Sequence, residues 1–321
     1  MSYDGVYKTT NADIDTRDLF HQRYDKYFSK IYRDGDWKTI DYSQFDAIIY
    51  DDCRDKGTKI PTKIIYPMAK KHGIKIFGNQ HGNRDFKGHV YEIDHHKSVF
   101  DYCFLFGEFH KDKCSELTND TSFLLLGGIP SNDGLKNYKR TKENILIIPN
   151  FIEVERKPFP LVFGDKFVKD IKLYDLQQKY GKKVVVKLKP RDLTVGNPYQ
   201  KDIEYVKSVL KNNSIEGDVI RDIEDDNLLI SQAHSVIGIT STLCFKSIQM
   251  GIPTAILKGG NFLGGFENFS GVCDINEIEQ TIENQIKKGR DIKYIENTIK
   301  GGVNYKSTKV YVNEILKILE E

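Results

Sequence analysis

Short apolar runs alternate with longer helical stretches along almost the whole chain, and this rhythm restricts the fold more than any other feature. The runs are Ala47–Tyr50, Ile74–Phe77, Tyr102–Phe106 and Phe123–Leu126, then Ile145–Ile148, Val184–Leu188, Val219–Arg221, Ser235–Ile239, Thr254–Leu257 and Gly271–Cys273. They are rich in Val, Ile and Phe and lack strict alternation, the pattern of strands buried on both faces. Between them, Pro61–Lys71, Asp165–Tyr180, Lys201–Lys211, Leu243–Met250, Ile275–Lys288 and Lys309–Leu319 read as helices. Strand–helix alternation predicts parallel sheets with right-handed crossovers, a doubly wound α/β architecture.

A chain of 321 residues has room for two such units of about 150 residues each. The polar stretch Ser131–Asn144 is the best linker, which divides the chain into an N-terminal unit, 1–138, and a C-terminal unit, 139–300. Residues 301–321 form a last helix, with the N-terminal unit as one place for it to pack. Residues 1–40 read as helix and loop, without the strand that normally opens such a unit. The first domain is therefore reduced, or the chain was once joined to something upstream.

Charge and cysteine content exclude several classes. The 48 Lys and Arg nearly balance the 46 Asp and Glu, so there is no global basic field for nucleic acid, and any phosphate site must be local. No apolar window reaches the length of a membrane span, and Met1–Thr16 lacks the regions of a signal peptide. The five cysteines are scattered, with no C-x-x-C pair, which argues against disulfides and zinc. Asp94–His95–His96 has no second ligand pair, so no metal is expected. A cytoplasmic protein fits best, with at most peripheral contact at the inner face of the membrane; Tyr24–Tyr32 could pack on the second domain or touch a lipid-linked acceptor, and its charges argue against deep insertion.

Ligands of doubly wound sheets sit at the C-terminal ends of the strands, and several segments fall there. In SVIGITSTLCFKSIQMGIP, Ser235–Pro253, a strand runs into Thr240–Ser241–Thr242 and then a helix, leaving backbone N–H groups at a helix start, which suits phosphate. An ordinary capped crossover helix has the same signature. In VVVKLKPR, Lys187, Lys189 and Arg191 put three cations at one strand end, where they could hold a diphosphate or stand solvated. In KGGNFLGGF, Gly259 and Gly260 allow close backbone approach, or mark a surface loop. Asp51 and Asp52 end another strand. Glu108 and His110 follow a third, where a polar turn is the plainer reading, and Glu224–Asp226 start a helix Asn227–His234.

Taken in order, four segments resemble the CDP-glycerol glycerophosphotransferase group of teichoic-acid enzymes and related capsule transferases of the GT-B type. Gln80–His81–Gly82–Asn83 with Lys87–Gly88 resembles W-H-G-T…K-x-x-G, and Gly128–Asp133 resembles G-x-P-R-N-D, with Ser131 in the Arg place. Lys187–Arg191 resembles K-x-H-P-R, and Thr240–Thr242 through Gly251–Pro253 resembles S-S/T…G-x-P. The resemblance spans residues 80–253. It implies two Rossmann-like domains facing across a cleft and a transferase with no cofactor. The donor would be CMP-, CDP- or UDP-linked, and the acceptor a glycan or lipid-linked hydroxyl, with no nucleic acid partner. Carried over, His81 is the general base, and Lys187, Lys189, Arg191, Ser241 and Thr242 hold donor phosphates.

Two departures bear on the donor. Lys189 stands where the group has His, and Lys246 where relatives carry an acid that accepts from ribose hydroxyls, which an ammonium cannot do. Lys246 would bind phosphate or carboxylate instead, or turn outward. Sugar transfer is the first expectation and polyol-phosphate transfer the second. A non-catalytic module of a larger synthase and a sugar-nucleotide epimerase are the alternatives.

Overall fold

The computed structural model describes residues 4–6, 30–32, 40–50, 65–80, 100–149, 162–188, 198–221, 225–258 and 264–321. A short parallel pair opens it, β1 (Asp4–Val6) with β2 (Lys30–Tyr32), where helix and loop were expected. β3 (Ala47–Tyr50), β4 (Lys75–Asn79), β5 (Tyr102–Leu105) and β6 (Leu124–Leu126) then form a four-stranded parallel sheet in sequential order. A second, six-stranded parallel sheet holds β7 (Asn144–Ile148), β8 (Lys183–Lys187), β9 (Gly217–Ile220), β10 (Ala233–Gly238), β11 (Thr254–Leu257) and β12 (Val272–Cys273). Every strand run expected in the two halves is present, within a residue or two at each end.

The six-stranded sheet is covered on both faces, which is why its strands read as continuous apolar runs. Ile145, Ile147, Val184, Val186 and Ile237 pack with Leu173, Leu176, Val206, Leu210 and Ile282 from helices on one side. Leu146, Ile148, Val185, Val236 and Ile256 pack with Phe245, Ile248 and Ile295 on the other. Each such side chain, fully buried, contributes about 1.5–3 kcal/mol of transfer free energy.

Two helix expectations and one turn expectation need correction. Asp165–Tyr180 is two helices, Asp165–Asp170 and Leu173–Tyr180, separated at Lys172 (φ 50°). At about 100° per residue, the apolar positions Phe167, Val168 and Ile171 would lie roughly opposite Leu173 and Leu176 on one continuous helix. The break brings both sets onto the sheet. The helix expected over Asn227–His234 is Asp226–Ser231, because Ala233 and His234 belong to β10, with Ala233 opposite Asn144 of β7. Glu108 and His110 lie not in a turn but in a helix, Glu108–Ser115.

The two sheets are joined by close contacts as well as by the chain. Gly107 lies so near helix Ile292–Thr298 that a Cβ there would sit 2.6 Å from the Asn297 and Thr298 carbonyl oxygens. Phe106 and His110 meet Phe245 edge-on, at ring-centre distances of 6.1 and 6.5 Å. Helix Ser307–Glu320 packs on the four-stranded sheet, with Tyr311 stacked on Phe104 at 3.9 Å and Ile315 beside Phe77. Asp133 accepts hydrogen bonds from the Ser307 and Thr308 amides (2.7 and 2.8 Å) and so caps that helix from outside.

Candidate functional site

The order β9-β8-β7-β10-β11-β12 places the first strand of the second half in the middle of its sheet. The chain leaves β7 toward β8 on one side and later returns to β10 on the other. The C-terminal ends of β7 and β10 therefore form the topological switch point, the place at which such sheets bind ligands.

Thr240, Ser241 and Thr242 follow β10 at this place. Ser241 is extended (φ −133°, ψ 142°) and caps helix Thr242–Gln249; its Oγ accepts from the Leu243 amide (3.4 Å), and its carbonyl from the Cys244 amide (3.0 Å). Gly238 lets that helix approach closely, since a Cβ there would lie 2.6 Å from Cys244 Sγ. At the far end, the Met250 and Gly251 carbonyls accept from Arg290 (3.4 Å) and Arg140 (2.8 Å), with Gly251 at φ 69°. Cations on these carbonyls and a hydroxyl cap at the start both agree with the helix dipole.

Lys187 ends β8, beside β7. Its side chain is buried, and Nζ donates to the carbonyls of Arg221 (2.6 Å) and Leu188 (3.1 Å). Arg221 is itself buried and pairs with Asp202 at 2.7 Å. The Lys187 charge is therefore built into the edge of β8 and β9. Lys189, Arg191, Gly259 and Gly260 lie outside the described residues. Lys258, just before the glycines, pairs with Asp274 at 3.0 Å on the surface.

Lys246 is buried on helix Thr242–Gln249 and donates to Asn227 Oδ1 (2.9 Å). Burial lowers its pKa, opposed in part by Asp226 and Asp225. Asp225 caps helix Asp226–Ser231 through the Asn227 and Leu228 amides (2.9 and 3.0 Å) and accepts from Tyr138 Oη (2.8 Å). Burial would raise the Asp225 carboxyl, but these bonds outweigh it and hold its pKa down. Asp225 and Asp226 belong to the helix start read from the sequence at Glu224–Asp226; the engagement of Asp225 by Tyr138 and of Asn227 by Lys246 has no local signal.

In the first half, His81, Asp51, Asp52 and Asp94–His96 lie outside the described residues. Gln80 is described, and it is pinned at the C-terminal edge of the four-stranded sheet. Its amide donates to Phe104 O (2.8 Å), and its Oε1 accepts from the Phe106 amide (3.0 Å). Glu108 stands 3.5 Å from Lys300. His110 has no exposed surface, and burial pushes its pKa down to about 3, against a smaller opposite pull from the Thr298 backbone. Among the described residues no group of His, Cys, Asp and Glu could hold a metal ion, and no helix is long and apolar enough to cross a membrane.

The chain matches no protein-family model and no curated protein. It is similar in structure to the wall teichoic acid polymerase TagF, with TM-score 0.57 and 12% identity over 99% of this chain and 88% of that one. HepE of Anabaena, in complex with UDP and glucose, matches with TM-score 0.56 and 10% identity over 94% of this chain and 89% of that one. The UDP-GlcNAc 2-epimerase of Methanocaldococcus jannaschii matches with TM-score 0.59 and 10% identity over 95% of this chain and 90% of that one. The chain has the GT-B fold. At these identities the likeness is one of architecture, two Rossmann-like parallel-sheet domains, and it extends over both halves of the chain.

Proposed function

We propose that the chain is a glycosyltransferase that moves a sugar from a nucleotide-activated donor to a hydroxyl of a surface polysaccharide or lipid-linked acceptor. One observation carries the reading: Ser241 and Thr242 open a helix at the switch point of the six-stranded sheet. Amides and dipole there suit the donor diphosphate. Lys189, Arg191 and the Gly259–Gly260 loop follow neighbouring strands and would complete the phosphate contacts. Lys187, held by two carbonyls, would shape this edge and supply field rather than reach the ligand. Lys246 would order the Asp225–Asn227 helix start beside the switch point.

His81 follows Gln80, the pinned residue at the edge of the other sheet, and in this reading it is the general base. It takes the acceptor hydroxyl proton as that oxygen bonds to the anomeric carbon. The bond from that carbon to the phosphate oxygen breaks, and the nucleotide leaves with the electron pair. Cationic groups and helix amides stabilise the charge developing on the leaving phosphate, the term that usually dominates such transfers. Polyol-phosphate transfer through the same site is the second reading, favoured by the likeness to a wall teichoic acid polymerase across nearly the whole chain.

The test is transfer from labelled UDP-, CDP- and CMP-linked donors to membrane acceptors, with wild type and His81→Ala. Loss of transfer with nucleotide binding retained supports the assignment. Loss of both would make His81 structural and overturn the mechanism.

A further inference from the structure

The N-terminal edge of the six-stranded sheet, opposite the proposed donor site, gathers basic side chains from strand starts that lie next to one another. β7 begins at Asn144, β8 at Lys183 and β10 at Ala233, and the register pairs Asn144 with both of the others. Backbone bonds from Thr141 and Glu143 to Ser231 and Gln232 draw residues 141–144 along the start of β10. Arg140 and Lys142 precede β7, Lys182 precedes β8, and His234 is the second residue of β10. Neighbouring strands are about 5 Å apart, and Lys182, Lys142 and Arg140 all lie within electrostatic reach of His234.

Positive charge predominates in the patch, although Glu279 and Glu283, both held by Lys179, lie within electrostatic reach of Tyr180. His234 is held below its ordinary pKa, first by burial and then by Lys182, Lys142 and Arg140. Lys183 next door is paired with Glu216, whereas Lys142 and Lys182 form no ion pair among the described residues. Glu143, the nearest acid in sequence, is exposed.

The patch also holds polar atoms with no partner among the described residues. Arg140 Nε and His234 Nδ1 are buried without a hydrogen bond, although Arg140 Nη1 is held by Gly251. Tyr180 Oη is in the same position, and its ring lies 4.7 Å from that of His234. Buried polar groups are ordinarily satisfied, so the neighbouring orphans on His234 and Tyr180, with Arg140 within electrostatic reach of His234, call for a partner. Here the side chains supply donors, and the field at His234 is positive. Both features point to an anion able to accept several hydrogen bonds.

We infer that Arg140, Lys142, Tyr180, Lys182 and His234 form a second site, which binds a phosphate group at the N-terminal edge of the six-stranded sheet. The group could belong to a soluble phosphorylated compound or to a lipid headgroup. The chemistry of recognition is the same, and the site stands apart from the proposed donor site.

The experiment follows the His234 ring resonance by NMR, identified by its absence in His234→Gln, while inorganic phosphate is added at constant ionic strength. In wild type the signal should shift and saturate, and the His234 titration midpoint should rise, because the anion offsets the surrounding cations. Lys142→Ala with Lys182→Ala should weaken the response at least about tenfold, as expected when two charge-assisted hydrogen bonds are removed. Ser241→Glu, at the proposed donor site, should leave it unchanged, which separates this site from the proposed function. Vesicles containing phosphatidic acid, set against phosphatidylcholine alone, form the second arm. A shift with phosphatidic acid but not with free phosphate would assign the headgroup as the source. A signal that neither moves, or that chloride at equal ionic strength moves equally, would overturn the proposal.

Discussion

Acid should destabilise this fold through His110 in a way that a single substitution can isolate. The imidazole is fully buried between Phe106, Phe109 and Phe245, where the two halves meet. Its ordinary pKa of 6.5 falls to about 3 in the fold. A group whose folded pKa is lowered stabilises fully above its unfolded pKa and loses that contribution as pH falls toward the folded value. Each pH unit below 6.5 therefore costs up to about 1.4 kcal/mol, or about 2 kcal/mol at pH 5. Urea unfolding of wild type and His110→Leu at pH 7 and about pH 5 gives the comparison. Wild type should lose about 2 kcal/mol more than the variant between the two. Carboxylates and His234 titrate in both proteins and cancel. Equal losses would show that His110 can be protonated in place, and would refute its burial at a closed contact between the halves.

Other expectations concern a buried ion pair and the docking of the last helix. Asp202→Ala leaves the buried Arg221 guanidinium without its carboxylate and should cost about 3–5 kcal/mol, or roughly 10 °C in melting temperature; a loss below about 1 kcal/mol would mean that water reaches the pair. Gly127→Ala puts a methyl 1.9 Å from Tyr311 Cε2, so helix Ser307–Glu320 must lift. Limited proteolysis should then cut near the C-terminus, and adding Tyr311→Ala should restore protection against the first cut. Asp133→Ala should destabilise by about 1–2 kcal/mol, measured by thermal unfolding, because the Ser307 and Thr308 amides lose their acceptor.

Strands were the most legible part of this chain, since burial on both faces demands uninterrupted apolar runs such as Ile145–Ile148 and Val184–Val186. The turn Thr240–Thr242 was legible for the same local reason, a hydroxyl cap between a strand and a helix. What escaped depends on distant partners. Lys187 ends a strand, where a cation ordinarily reads as solvated or ligand-bound. Its burial is set by carbonyls and an ion pair from residues 202 and 221. Lys246 finds Asn227 and Asp225, and Asp225 finds Tyr138, which is 87 residues away in sequence. Helix Glu108–Ser115 reads as polar because its buried face is only Phe109, His110 and Cys114, and a buried histidine gives no apolar signal. The break at Lys172 required comparing the phase of two apolar stripes, which a single window over Asp165–Tyr180 averages away.

The central claim is that a nucleotide's phosphates bind where β10 passes into helix Thr242–Gln249. Calorimetric titration of CMP, CDP, UDP and GDP into wild type and Ser241→Glu tests it most directly. A carboxylate at this cap agrees with the helix dipole and should leave the fold intact, while repelling an incoming phosphate. The expected result is saturable binding of one of these nucleotides to wild type and loss of at least about tenfold in affinity in the variant, or about 1.4 kcal/mol. Binding unchanged in Ser241→Glu, or no binding of any nucleotide to wild type, would contradict the account.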